Sequence, residues 1–176
     1  MKYPKSLLKH DRKVLDENKI KSFHFLYMRN KPGYGWKIEE RLPDFNTIKL
    51  DQSFNWCLFS IPEWTRFNND KEYLRNYAII GIKVDSIRFT KKYNSNFDNF
   101  TWTPQHVPTD NNYSHCELKV IKNDLTKAQI RELRMTLKHK SEIFFKPNEN
   151  CNIFKKIYHY LYFFYYKLHF YILPNK

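Results

Sequence analysis

The order of hydrophobic and polar residues at the start of the chain predicts a helix. Two pairs of apolar residues recur at a spacing of seven, with charged residues between them: Leu7 with Val14, and Leu8 with Leu15. This spacing is typical of one face of an amphipathic helix. We therefore expect an N-terminal helix over residues 5–19.

Four segments rich in aromatic and aliphatic residues predict β-strands. They cover residues 21–28, 36–42, 55–61 and 77–84. The last of them is almost continuously apolar, which predicts a strand buried on both faces. A polar segment over residues 68–75 predicts a helical turn. Residues 91–112 are rich in Asn and predict a long loop.

Residues 113–121 alternate between apolar and polar side chains. In a strand, this alternation places Cys116, Leu118 and Val120 on one face. His115, Glu117 and Lys119 then share the other face. Burying the second set without partners would cost several kcal/mol, so we expect the first set to face the core.

The clearest helix signal follows this strand. Thr126 and Gln129 have the spacing of a capping box, in which each side chain bonds a backbone N–H of the other residue. Ile130, Leu133 and Leu137 then form an apolar stripe, and the pattern continues over residues 126–140. Together these segments predict a single α+β domain. Its mostly antiparallel sheet would have about four to six strands, flanked by N-terminal and C-terminal helices.

Composition indicates where this domain works. The three cysteines, Cys57, Cys116 and Cys151, are widely spaced, and their odd number argues against a disulfide framework. Free thiols are typical of a reducing compartment. The N-terminus has no apolar segment of the secretory kind. We therefore expect a cytoplasmic protein.

Charge and glycine content narrow the functions. The net charge is +13, from 31 Lys and Arg against 18 Asp and Glu. Such a charge attracts polyanions. The chain has only 3 glycines, and none of the glycine-rich phosphate-binding motifs or nucleophile elbows occurs. These absences exclude P-loop kinases, Rossmann dehydrogenases and α/β-hydrolases.

An aromatic, basic tail over residues 151–176 follows a body that spans residues 1–150. The tail is long enough to cross a bilayer. However, three lysines interrupt it, at Lys155, Lys156 and Lys167, and a lysine near the bilayer centre costs about 2.5–3.5 kcal/mol. We therefore expect no transmembrane segment. Three alternatives stay open: a packed element, a poorly selected extension beyond the domain, or a segment that lies on a membrane surface.

The strongest candidate for catalysis is the pair His115 and Glu117. Side chains two residues apart on one strand face are about 6.5–7 Å apart, close enough to act on one substrate as acid and base. His106 precedes this strand. His115-x-Glu117 also begins like the zinc deaminase signature, but no Pro-Cys-x-x-Cys follows it. The sequence therefore predicts no metal site.

Three residues occur in an order that is similar to that of ADP-ribosyltransferase-like enzymes. His24 lies in the first predicted strand, Ser60 in a middle one and Glu117 in a late one. The resemblance implies NAD as a cofactor, with His24 holding the NAD ribose and Glu117 orienting it for transfer. No other cofactor is indicated.

A second candidate site is a cationic stripe on the helix over residues 126–140. Four side chains fall within an arc of about 60°: Lys127, Arg131, Arg134 and Lys138. Such a stripe could follow a phosphate backbone. The leading hypothesis is therefore a small protein associated with DNA or RNA. An NAD-using transferase and a non-catalytic interaction module are the alternatives, and enzymatic activity stays an open question.

Overall fold

A computed structural model describes residues 2–9, 12–30, 53–89, 102–120 and 126–172. Its strands are β1 (Phe25–Asn30), β2 (Ser53–Trp56), β3 (Ala78–Lys83), β4 (Trp102–His106), β5 (His115–Val120) and β6 (Ser141–Phe145). Its α-helices are α1 (Val84–Phe89), α2 (Lys127–Lys140) and α3 (Ile153–Ile172). The strands form one sheet in the order β4-β5-β2-β1-β3-β6, with every neighbouring pair antiparallel. The predicted α+β class and strand number are confirmed.

The centre of the sheet forms the core, as the apolar pattern of residues 77–84 predicts. Ile79, Ile80 and Ile82 in β3 are fully buried, so this strand is covered on both faces. The alternation in β5 is also confirmed. Cys116 and Leu118 are fully buried, whereas His115 and Glu117 are half-buried. The side chains of Lys119 and Val120 lie outside the described part.

The predicted N-terminal helix over residues 5–19 is wrong for residues 5–9 and 12–19, which hold two short 3-10 helices instead: Lys5–Leu7 and Glu17–Lys19. The intervening backbone bonds to distant residues. The N–H of Lys9 donates to the carbonyl of Asp110 (3.0 Å), and the N–H of Leu15 donates to His106 Nδ1 (3.0 Å). These tertiary bonds use backbone donors that a helix would need for itself.

Other local predictions also need correction. Part of the predicted loop over residues 91–112 is strand β4, which lies at a sheet edge where Pro104 is tolerated. In place of the helical turn at residues 68–75, Phe67 and Tyr73 form an antiparallel bridge. Helix α1 and strand β6 were not predicted at all. The predicted strand over residues 36–42 lies outside the described residues.

Both C-terminal helices begin close to the boundaries that the sequence indicates. Helix α2 starts directly after Thr126, as the capping signal predicts. Helix α3 occupies the aromatic tail and buries three of its side chains, His159, Phe163 and Tyr166. Tyr166 belongs to the main core cluster. Over Ile153–Ile172 the tail therefore forms a helix that packs on the domain through these side chains. None of the helices in the described residues is both long and apolar enough to cross a membrane.

Candidate functional site

An open cleft of about 430 Å³ lies between the sheet and α3. Most of its wall is aromatic, from eight residues: Phe23, Phe25, Tyr27, Phe144, Tyr158, Tyr162, Tyr165 and Tyr166. Its polar groups are Ser22, Lys83, Asp85, Glu142 and His159. The cleft therefore combines flat apolar surfaces with a few hydrogen-bonding groups, as ligand sites commonly do.

The floor of the cleft depends on the glycine of β3. Strand register places Tyr27 opposite Gly81 and Gly81 opposite Glu142. A Cβ at Gly81 would collide with the ring of Phe144 and lie 3.2 Å from Cδ1 of Phe25. Because glycine leaves this space empty, Phe144 can place its ring edge against Tyr27, with the ring centroids 5.1 Å apart.

The helical wall is a row of tyrosines. Tyr158, Tyr162 and Tyr165 follow each other at spacings of four and three residues, so they project from one side of α3. The ring centroids of Tyr158 and Tyr162 are 4.7 Å apart. Tyr162 and Tyr165 are 45% and 48% exposed. Their rings are therefore accessible to a ligand.

His24, a predicted catalytic residue, lies behind this wall. It is 1% exposed, and its Nδ1 accepts hydrogen bonds from the N–H of Lys21 (2.9 Å) and from Trp56 Nε1 (3.0 Å). Its ring contacts Phe23 and Tyr166, with centroid distances of 4.7 and 5.7 Å. Phe23 and Tyr166 stack on each other. His24 thus supports two residues that line the cleft.

His159 is a buried polar group on the cleft wall. It is 5% exposed, with its ring centroid 5.4 Å from that of Phe145. Burial, assisted by the charge of Lys155, lowers the pKa of His159 to about 4, so its imidazole is neutral near pH 7. Among the described residues its Nδ1 has no hydrogen-bond partner. Because that nitrogen is itself buried, a ligand in the cleft cannot reach it in this structure.

His115 lies in a second, smaller hollow of about 110 Å³. In the strand register His115 lies opposite Asn55, and Asn55 lies opposite Tyr27. Tyr27 lines both the hollow and the cleft. The Nδ1 of His115 is 2.7 Å from the carbonyl of Val107. Since a carbonyl only accepts, Nδ1 carries the proton. Thr65 also lines this hollow, and no described residue bonds its buried Oγ1.

The structure does not bring His24 and Glu117 together. Glu117 pairs with Ser53 on β2, whereas His24 bonds Trp56 on the same strand. Ser53 and Trp56 are three residues apart, which is roughly 10 Å along a strand. Ser60 is 1% exposed, and its hydroxyl donates to the carbonyl of Ile61 (3.1 Å). His24 and Ser60 are therefore interior groups with internal partners.

The cationic stripe on α2 is only partly described. Lys127 and Arg131 are exposed and Lys138 is half-buried, whereas the side chain of Arg134 lies outside the described part. Two exposed cations are consistent with a contact surface, and nucleic-acid binding by this stripe stays a prediction.

The described residues contain neither a group of metal ligands nor a reactive thiol. No three His, Cys, Asp or Glu side chains of the described segments meet as metal ligands would. Cys57 and Cys116 are fully buried free thiols, and burial raises the pKa of both. Such thiols are structural apolar groups and not nucleophiles.

Sequence reasoning missed the cleft because its walls come from five separate parts of the chain. The one local signal is the spacing of tyrosines in the tail, which marks a helix face. No protein-family model, curated protein or solved structure matches this chain. The side chains of the cleft and the hollow therefore carry the functional information that this chain offers.

Proposed function

We propose that this protein binds single-stranded DNA or RNA and holds one base in the aromatic cleft. The observation that carries the proposal is the open, aromatic-lined volume of about 430 Å³ in a chain of net charge +13. Proteins that bind single strands combine stacking rings with a positive surface, and each stacked base contributes about 1–3 kcal/mol. The cleft supplies the aromatic rings, and the net charge of the chain supplies a long-range attraction for a polyanion.

The polar groups of the cleft suit a base edge. The carboxylates of Asp85 and Glu142 can accept hydrogen bonds from an exocyclic amino group, as acidic side chains do with cytosine. Lys83 lines the same cleft and supplies a positive charge for the adjoining phosphate.

The first prediction concerns the helical wall. Replacing Tyr165 with Ala removes one half-exposed ring, and we expect the affinity for a labelled single-stranded oligonucleotide to fall about 5- to 100-fold, the equivalent of one lost stacking contact. The measurement is fluorescence anisotropy. Tyr171→Ala is the matched control, because Tyr171 is on the same helix, is 66% exposed and is not among the cleft residues.

Equal losses in the two variants would contradict binding in the cleft. No binding of any oligonucleotide by the wild-type protein would contradict the proposed function itself. If the same samples consume NAD, the transferase hypothesis replaces it.

The second prediction concerns the phosphates. If the stripe on α2 follows the backbone, neutralising Lys127, Arg131, Arg134 and Lys138 to Gln should flatten the slope of log K against log salt by about 3, at roughly 0.7 per contact on a single strand. The control neutralises four exposed cations elsewhere: Lys2, Lys5, Lys13 and Arg75. It removes the same net charge. Equal changes in slope would show that α2 makes no specific contact.

A further inference from the structure

The outward face of α3 is a continuous apolar stripe, here called the outer stripe. Its residues alternate at spacings of three and four: Phe154, Ile157, Leu161, Phe164, Leu168 and Tyr171. All six are between 52% and 79% exposed. The opposite side of the same helix is buried against the domain through Phe163 and Tyr166. A contiguous exposed apolar surface of this length marks a site of interaction.

The groups beside the outer stripe are arranged in layers. At 100° per residue, Tyr158, Tyr160 and Tyr162 lie about 60–100° from Leu161, at the margins of the stripe. The lysines follow at about 120–140°: Lys155 on one side, and Lys156 and Lys167 on the other. A helix that lies in the plane of a bilayer shows the same order. Its apolar residues contact the acyl chains, its tyrosines lie at the interface and its lysines reach the headgroups.

The charges decide between a membrane and a second copy of this chain. From Ile153 to Ile172 the helix contains three lysines and no acidic residue. Lys155 is already paired with Glu149, with Nζ and Oε1 2.6 Å apart. For Lys156 and Lys167, two copies paired along their outer stripes would supply no acid on either helix to offset their charge. Anionic lipid headgroups supply that opposite charge, and each lysine near such a surface adds to its attraction.

We propose that α3 lies in the plane of an anionic phospholipid surface, with the outer stripe inserted among the lipids while its inner face stays packed on the domain. This surface interaction is separate from the cleft, which none of the six stripe residues lines.

The test is co-sedimentation of the full chain with two kinds of vesicle, one of phosphatidylcholine alone and one of phosphatidylcholine mixed equally with phosphatidylserine. We expect binding to the mixed vesicles, and at least about a tenfold loss of affinity in Leu161→Glu/Phe164→Glu, since two acids enter the inserted face. Val14→Glu/Met135→Glu is the matched control, because it adds the same charge at two exposed apolar residues outside α3. The control should bind like the wild type.

Three results would overturn the proposal: no sedimentation of wild-type protein with mixed vesicles, equal losses in the stripe and control variants, or a dimer in solution that Leu161→Glu dissociates while vesicles capture nothing. Oligonucleotide affinity should change equally in Leu161→Glu/Phe164→Glu and in the control, since both add two acids outside the cleft. Failure of vesicle binding therefore leaves the proposal for the cleft standing, and failure of oligonucleotide binding leaves this one standing.

Discussion

Replacing Arg66 with Met should lower the free energy of unfolding by about 3–5 kcal/mol, because three backbone carbonyls would lose a charged donor at once. Arg66 is fully buried. Its guanidinium donates to the carbonyls of Lys146 (2.8 Å), Glu149 (2.7 Å) and Tyr77 (3.2 Å). Met keeps an unbranched apolar stem and has no donor, so the variant removes these bonds together with the volume of the guanidinium group.

The same substitution should affect the cleft. Residues 146–149 connect β6 to α3, and Arg66 fixes this connection to the short 3-10 helix Pro62–Arg66. Without these bonds the tyrosine wall of α3 loses one of its anchors. We expect weaker oligonucleotide binding in Arg66→Met as well as lower stability.

Urea unfolding followed by tryptophan fluorescence measures the stability change, and Arg75→Met is the control, since Arg75 is exposed. A change below about 1 kcal/mol in Arg66→Met, the size expected of one ordinary hydrogen bond, would show that the carbonyls find other partners.

Sequence patterns predicted the strands in which each face is either wholly buried or wholly turned away from the core. Strand β3 has both faces covered, and strand β5 has one face toward the core, so apolar content and alternation identified them. A local capping signal identified the start of α2. The predicted N-terminal helix was wrong because Lys9 and Leu15 bond to residues about 90–100 positions away. No local sequence pattern indicates such distant partners.

The aromatic tail was ambiguous for a different reason. Phe163 and Tyr166 face the domain while Leu161 and Phe164 face outward, so α3 is apolar on two sides. A helix with two apolar faces shows no single amphipathic direction in projection. Only the packing against the sheet separates the inner face from the outer stripe.

The cleft could not be predicted from the sequence, whereas one residue of the hollow could be placed correctly. Strand parity placed His115 on a polar face, and the structure has it in a polar hollow with Asn55. The cleft joins Phe25, Glu142 and Tyr165, which are far apart in the chain. Their meeting depends on strand order and on the absence of a side chain at Gly81, and neither can be read from spacing.

A chain that ends at Asn150 is expected to lose cooperative folding, because α3 packs on the aromatic core through side chains that this chain would lack. The helix covers Trp56 through Phe170 and covers Trp64 through Phe163, and Tyr166 is in the core. Deleting one buried aromatic side chain usually costs about 3–5 kcal/mol. Losing several at once approaches the whole stability of a domain, about 5–15 kcal/mol.

The measurement is urea unfolding followed by circular dichroism, together with binding of a hydrophobic dye at zero urea. We expect the chain of residues 1–150 to show a broad transition and strong dye binding, because the removed helix leaves an aromatic sheet surface in water. A chain ending at residue 172 is the control and should unfold like the full protein. If residues 1–150 instead unfold in one sharp transition at the wild-type midpoint, the domain ends before α3, and the helix contributes its surface without contributing to the stability of the fold.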